Sequence, residues 1–226
     1  MKYNTIIFDV DGTLINTRKG IMLSVKYVTE KYNLTNLSDE ELYKFTGTSP
    51  LQTAFCQFCN IDEALAQKCA EEFRTYYNNH ELFNAKVYNG IIRLLNYIKN
   101  EGYKLAVATY KREDLVIKIL NHFGLDKYFD IICGADNKNK LTKSDMINKC
   151  IINVGANKGN SLMIGDSCHD AKAAQQLGIK FIGVTYGFGF ESQQDINEYP
   201  NILSAETPQD ILNYLMTNKA YEEQTK

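Results

Sequence analysis

Two aspartates, Asp9 and Asp11, stand with Gly12 and Thr13 directly after the apolar run Ile6-Ile7-Phe8. Carboxylates at the end of a buried strand are a poor structural element, because charge beside apolar neighbours loses solvation. They suit a cation and a phosphoryl group instead. Hard oxygen donors match Mg²⁺, and a carboxylate can act as a nucleophile. Gly12 allows a tight turn and Thr13 adds a hydroxyl. A second acidic turn follows later, where Gly165 and Asp166 close the apolar run Leu162-Met163-Ile164, with Asp170 at the mouth of a helical stretch. Asp170 taken alone reads as a helix cap, where a carboxylate is favoured. Asp166 is harder to explain structurally. Brought near Asp9 and Asp11 it crowds like charges, a conflict that a bound cation resolves.

Such residues meet only if the elements between them bring the turns to one place. Short β-rich apolar runs predict strands at 3–8, 104–109, 129–132, 161–164 and 180–184. Between the first and second of these, helical periodicity dominates, with Ile21, Val25 and Val28 on one face. There Ser38-Asp39-Glu40-Glu41 has capping-box spacing, Thr46-Gly47-Thr48-Ser49-Pro50 reads as a loop, and helices are expected at 51–58 and 62–78. From Tyr88 onward helices and strands alternate. Ile91, Ile92, Leu95 and Ile98 mark one helix that Gly102 ends, and 111–123 reads as a second helix stopped by Gly124. Further helices are expected at 143–154, at 170–177 ended by Gly178, and after Thr207-Pro208, whose charged tail from Ala220 should fray.

This alternation predicts an α/β fold: a doubly wound parallel sheet covered on both faces, with an inserted block of helices. Residues 1–15 and 88–226 would form the core and 16–87 a helical cap. In such sheets ligands bind beyond the carboxyl ends of the strands. Asp9, Thr109 and Asp166 each follow a predicted strand, so three strand ends point at one rim.

The bulk composition sets bounds. The chain has 226 residues, 44% of them hydrophobic and 23% charged, and a net charge of −2, which gives no general attraction to nucleic acid or to an anionic membrane. No apolar run approaches the roughly 20 residues that span a bilayer. The N-terminal residues enter the first strand at once without a secretory signal, so a cytoplasmic location is expected. Cys56 and Cys59 have local zinc-like spacing, but no second pair completes a ligand set, and the six cysteines read as reduced thiols packed on helix faces. His169 reads as a helix-start residue, and His80 and His122 as packing residues.

The ordered set Asp9-Val10-Asp11-Gly12-Thr13, then Thr109, then Gly165-Asp166 with Asp170 resembles the haloacid-dehalogenase-like hydrolases. The similarity is strongest to the branch with a helical cap after the first strand, and within it to phosphoglycolate phosphatases. It extends through the run Gly183-Val184-Thr185-Tyr186-Gly187-Phe188-Gly189. The resemblance implies a Rossmann-like core and a Mg²⁺-dependent phosphatase acting on a small phosphorylated metabolite. Asp9 would be the nucleophile and Asp11 the acid and base. Asp9, Asp166 and the backbone carbonyl of Asp11 would hold the metal. Thr109 and Lys143 would bind phosphate, Lys143 being favoured over its neighbours Lys138 and Lys140 although the usual proline after it is absent. Asp170 would orient the metal's waters or Lys143. A dehalogenase has no use for Asp11 or a metal, so the set points to phosphate chemistry. A sugar-phosphate mutase of the β-phosphoglucomutase type shares this core and cap, and a regulatory protein on the same fold is a third reading. The substrate and the oligomeric state are not legible.

Overall fold

A computed structural model describes residues 3–46, 50–136 and 141–224. The tip of the expected Thr46–Pro50 loop, Gly47 to Ser49, and the alternative lysines Lys138 and Lys140 lie outside the described residues. The chain divides into two compact units, one made of residues 1–16 and 87–226, the other of residues 17–86.

The larger unit begins with β1 (Thr5–Phe8), every residue of which is buried, and a two-residue β2 (Ile15–Asn16). The smaller unit holds α1 (Arg18–Lys31), α2 (Asp39–Lys44), α3 (Leu51–Cys59) and α4 (Glu63–Tyr76), then a π-helical turn at Tyr77–Glu81. Two of its helices start on side-chain caps: Ser38 and Glu41 form the expected capping box of α2, and Asp62 accepts from the Leu65 N–H at the start of α4. Aromatic rings hold it together. Tyr27 stacks on Tyr76 at 3.8 Å, and Phe45 meets Phe55 and Phe58 edge-on at 5.1 and 5.2 Å. Arg18 lies over the Tyr43 ring and donates to its hydroxyl at 3.1 Å.

The chain continues through β3 (Lys86–Val87), which pairs with β2, then α5 (Ile91–Asn100), β4 (Lys104–Arg112), α6 (Glu113–His122) and β5 (Ile131–Ala135). It goes on with α7 (Lys143–Asn153), β6 (Ser161–Gly165), α8 (Cys168–Leu177), β7 (Lys180–Val184), α9 (Gln193–Asn197), β8 (Leu203–Ala205) and α10 (Pro208–Gln224). The six main strands form one parallel sheet in the order β5-β4-β1-β6-β7-β8. This is the expected doubly wound α/β fold, with β1 in the middle and the crossover on each side of it.

Alternation along β1 shows why the fold holds. Ile7 joins Ala106, Met163 and Phe181 in a core cluster with Met146, Ile147, Cys150, Ala171 and Ala174 of α7 and α8. Ile6 and Phe8 point the other way and are equally buried, so both faces are covered. Removing a side chain such as Ile7 would cost about 2–5 kcal/mol. Three expectations need correction. The strand after α5 runs to Arg112, so 111–112 belong to β4 and not to a helix. A sixth strand, β8, was not expected. Cys133 sits on β5 and not on a helix face, while all six cysteines are free. The terminal helix is assigned to Gln224. Among the described residues no helix is long and apolar enough to cross a membrane.

Candidate active site

The register of the sheet brings the acidic turns together. Phe8 is level with Val107 on β4 and with Ile164 on β6, so Asp9 and Asp11, Thr109 and Asp166 leave the sheet along one edge. The turn after β1 is closed by backbone bonds from Leu14 and Ile15 to the Val10 carbonyl. Gly12 has φ +82°, and a Cβ there would collide with the Asp166 carboxylate, so glycine is required both by the turn and by the neighbouring acid.

Lys143 is the hub of one side. The Thr142 hydroxyl accepts from the Asp145 N–H, and the Asp145 carboxylate takes the Thr142 N–H in return, starting α7 so that its first residue points inward. The Lys143 ammonium donates to Asp9 Oδ1 at 2.7 Å and lies 2.8 Å from Asp170 Oδ1 as an ion pair. Its side chain is only 4% exposed. Its backbone N–H donates to the Tyr110 hydroxyl at 3.2 Å, and its Nζ sits over the Tyr110 ring at 5.6 Å. Burial alone would push this ammonium down, but Asp170 and Asp9 outweigh it and hold it above the usual lysine value. Asp170 makes contacts on both sides: Oδ2 accepts from the Ser167 hydroxyl at 2.6 Å at the start of α8, while Oδ1 lies 2.8 Å from the Lys143 ammonium.

Asp166 is held from the other direction. Its Oδ2 accepts backbone N–H bonds from Phe188 at 2.7 Å and Gly189 at 3.3 Å, and its Oδ1 takes the Thr13 hydroxyl at 3.4 Å. The Tyr186 hydroxyl donates to the Thr13 carbonyl at 3.1 Å, tying the loop after β7 to the first turn. The loop's backbone donors are a feature that residue types could not reveal.

Asp9, Asp166 and Asp170 each offer a carboxylate oxygen within 4.8 Å of the others, and all three residues are buried. One ammonium cannot balance three carboxylates. Burial, with Asp170 and Asp11 nearby and Lys143 opposing, pushes Asp9 up to about 6. Burial, then Asp9 and Asp170, push Asp166 up to about 8. A cation at this cluster would remove that conflict, and an all-oxygen donor set fits Mg²⁺. Asp11 lies apart from the cluster by its carboxylate, whose two oxygens are each 3.1 Å from Lys111 Nζ. Thr109 is buried, and its hydroxyl accepts the Lys111 N–H at 3.3 Å. His169 lies edge-on to Tyr110 at 5.5 Å, its pKa lowered chiefly by burial.

Lys111 is the residue that sequence reasoning missed. The apolar run of β4 stops at Ala108, so a helix was read from Lys111 onward. Had the strand been carried through Tyr110, a good strand former, its period of two would have put Lys111 on the same face as Thr109.

Comparisons with known proteins agree with this architecture. Residues 6–184 match the family model described as haloacid dehalogenase-like hydrolase. The chain is 34% identical to a 5'-nucleotidase of Pseudomonas aeruginosa over 85% of its own length and 87% of that protein's. It is 31% identical to the pyrophosphatase PpaX of Bacillus pumilus, over 81% and 83% of the two chains. Among solved structures, a predicted phosphatase from Clostridium acetobutylicum superposes with a TM-score of 0.85 at 36% identity, covering 96% of this chain and all of that one. With the family model spanning the first strand, both acidic turns and Lys143, the chain belongs to the haloacid dehalogenase-like hydrolases.

Proposed function

We propose that the protein is a Mg²⁺-dependent phosphatase that removes a phosphoryl group from a small metabolite through an aspartyl-phosphate on Asp9. The observation that carries this reading is the Lys143 ammonium set between Asp9 and Asp170, with Asp166 completing a buried carboxylate cluster. A nucleophilic carboxylate must be ionised, and the Lys143 ammonium 2.7 Å away favours the charged form of Asp9 against the burial that raises it. Asp166, at about 8, needs a cation beside it to stay ionised.

Asp9, Asp166 and the backbone carbonyl of Asp11 would hold Mg²⁺, which supplies charge neutralisation for the phosphoryl group when bound. An Asp9 oxygen attacks phosphorus in line while the bond to the leaving oxygen breaks. That oxygen takes its proton from the Asp11 carboxyl. Water then attacks the phosphorus, Asp11 accepts its proton, and the bond between phosphorus and Asp9 breaks to release orthophosphate. Lys143 and the Thr109 hydroxyl stabilise the equatorial oxygens, where the charge of a loose transition state is spread. The relatives named for nucleotidase and pyrophosphatase activity support phosphate transfer to water as the reaction class.

Residues 17–86 act in this reading as a cap that selects the substrate. Replacing them with a short linker would spare hydrolysis of a small activated phosphate and abolish discrimination among metabolites. Unchanged discrimination would remove the cap role. The function itself is tested by phosphate release from a panel of phosphomonoesters and pyrophosphate, with and without Mg²⁺, for the wild type and Asp9→Asn. Metal-dependent release abolished by the substitution supports the phosphatase. Turnover that moves phosphate between sugar positions without releasing it would establish a mutase instead.

A further inference from the structure

We propose that Tyr110 is a positioning residue of the phosphoryl transfer: its phenol and its ring together set where the Lys143 ammonium stands, so the rate depends on this side chain although it is none of the motif residues. The inference rests on the phosphatase reading, in which Lys143 serves the transferred phosphoryl.

Tyr110 follows Thr109 on β4 and is 39% exposed, so burial alone does not account for a large aromatic ring at this place. Among the described residues its hydrogen bond and its ring contacts all go to Lys143 and His169. The phenol oxygen accepts the Lys143 N–H at 3.2 Å. That amide is the first of α7 and has no acceptor within its own helix, while the Thr142 cap serves the Asp145 N–H instead. The Tyr110 ring meets the other end of the same residue. Lys143 Nζ lies 5.6 Å from its centroid, inside the range where a cation is attracted to an aromatic face. One side chain therefore holds Lys143 by its backbone and by its charge. His169 packs edge-on against the ring at 5.5 Å, and it precedes Asp170, the second acid on Lys143. Tyr110 thus ties the end of β4 to the starts of α7 and α8, the elements that carry Thr109, Lys143 and Asp170.

A lysine ammonium is a point charge on a flexible four-carbon stem, and carboxylate partners alone do not fix it. Lys143 lies 2.7 Å from Asp9 and 2.8 Å from Asp170. When an Asp9 oxygen bonds to phosphorus, the Asp9 carboxylate gives up the negative charge that held the lysine. Asp170 keeps its charge and draws the ammonium toward itself, away from the phosphoryl oxygens that it has to stabilise. The anchored α7 amide and the Tyr110 ring limit how far Lys143 can follow. A misplacement of about 1 Å can cost a reaction about 100-fold, so a side chain that acts only through Lys143 can govern the rate.

The test measures kcat, KM and inhibition by orthovanadate, a five-coordinate mimic of the transferred phosphoryl, with Mg²⁺ and the best substrate. Tyr110→Leu removes phenol and ring, and should lower kcat by about 10- to 100-fold. Vanadate should weaken by a similar factor, while KM moves by less than about 3-fold. Tyr110→Phe keeps the ring and should lose only about 3- to 10-fold, the worth of one hydrogen bond. In a Lys143→Met background Tyr110→Leu should cost less than about 2-fold, because its effect passes through the lysine. Losses that multiply in the double variant would overturn the proposal, as would a loss in Tyr110→Phe equal to that in Tyr110→Leu. Should Lys143→Met fail to fold, the vanadate comparison decides: weakening that matches the fall in kcat supports the proposal, and inhibition unchanged beside a fallen kcat refutes it. A wild type that hydrolyses no phosphate compound overturns the phosphatase reading, and this inference with it; hydrolysis indifferent to Tyr110→Leu overturns only the latter.

Discussion

Two lysines pair with aspartates at the same edge of the sheet, and they are built differently. Lys143 opens α7, is almost wholly enclosed, and bridges Asp9 and Asp170. Lys111 lies one residue before the end of β4 and is ion-paired with Asp11, whose side chain is 22% exposed. The first pairing is structural as well as chemical, because losing it strands buried charge. The second leaves its acid partly in contact with solvent. The contrast separates an enclosed pairing from one that keeps its acid partly in water.

The sharpest way to break the contrast is to exchange the fates of the two lysines. Lys143→Met should lower kcat by about 10²–10³-fold on every substrate and destabilise the metal-free protein by about 3–5 kcal/mol in denaturant unfolding at neutral pH. Lys111→Met should cost less than Lys143→Met, because Asp11, the acid that loses this partner, is 22% exposed and stays partly solvated. Equal destabilisation by the two would abolish the distinction.

Next in size is Gly12→Ala. A methyl group there meets the Asp166 carboxylate and also sits at positive φ. Mg²⁺ affinity, measured by titration calorimetry, should weaken by about 10-fold or more, as when groups supporting a metal ligand are disturbed. Affinity equal to wild type would mean that Asp166 does not bind the ion.

The pH dependence of metal-free stability tests the carboxylate cluster without any substrate. Asp9 and Asp166 are raised to about 6 and about 8 in the folded chain, from an ordinary value of 3.8. Above that ordinary value the folded chain binds more protons than the unfolded one, so their contribution falls as pH rises through about 6 and then about 8. Added Mg²⁺ should consequently raise Tm more at about pH 8 than at about pH 5. The same rise at both would contradict a repulsive cluster relieved by the ion.

The smallest effect belongs to Thr142→Ala. It removes the exposed cap that starts α7 and should cost about 1 kcal/mol in unfolding, with a drop in kcat that follows the helix and not the chemistry.

Much of this was legible in the sequence for a physical reason. β1 is a run of four buried residues followed by acids, and no other assignment satisfies both halves. The helix starts at Ser38 and Thr207 carried their own cap signals. The missed features lack such signals. β8 is three residues long and is defined only by the neighbour it pairs with, and the backbone N–H groups that hold Asp166 belong to no residue type. Lys111 was misread because a strand that bends past Gly134 no longer looks apolar. Local pattern reports burial well and reports a bend poorly.

The central claim, that Asp9 carries the phosphoryl group, is most directly tested by trapping. The enzyme is mixed with Mg²⁺ and its best substrate, quenched in acid during turnover and treated with borohydride, which reduces an acyl phosphate to an alcohol. Peptide mass spectrometry should find homoserine at position 9, and no modification in Asp9→Asn. Phosphate release under the same conditions with Asp9 unchanged, or with the reduced residue elsewhere, would contradict the account.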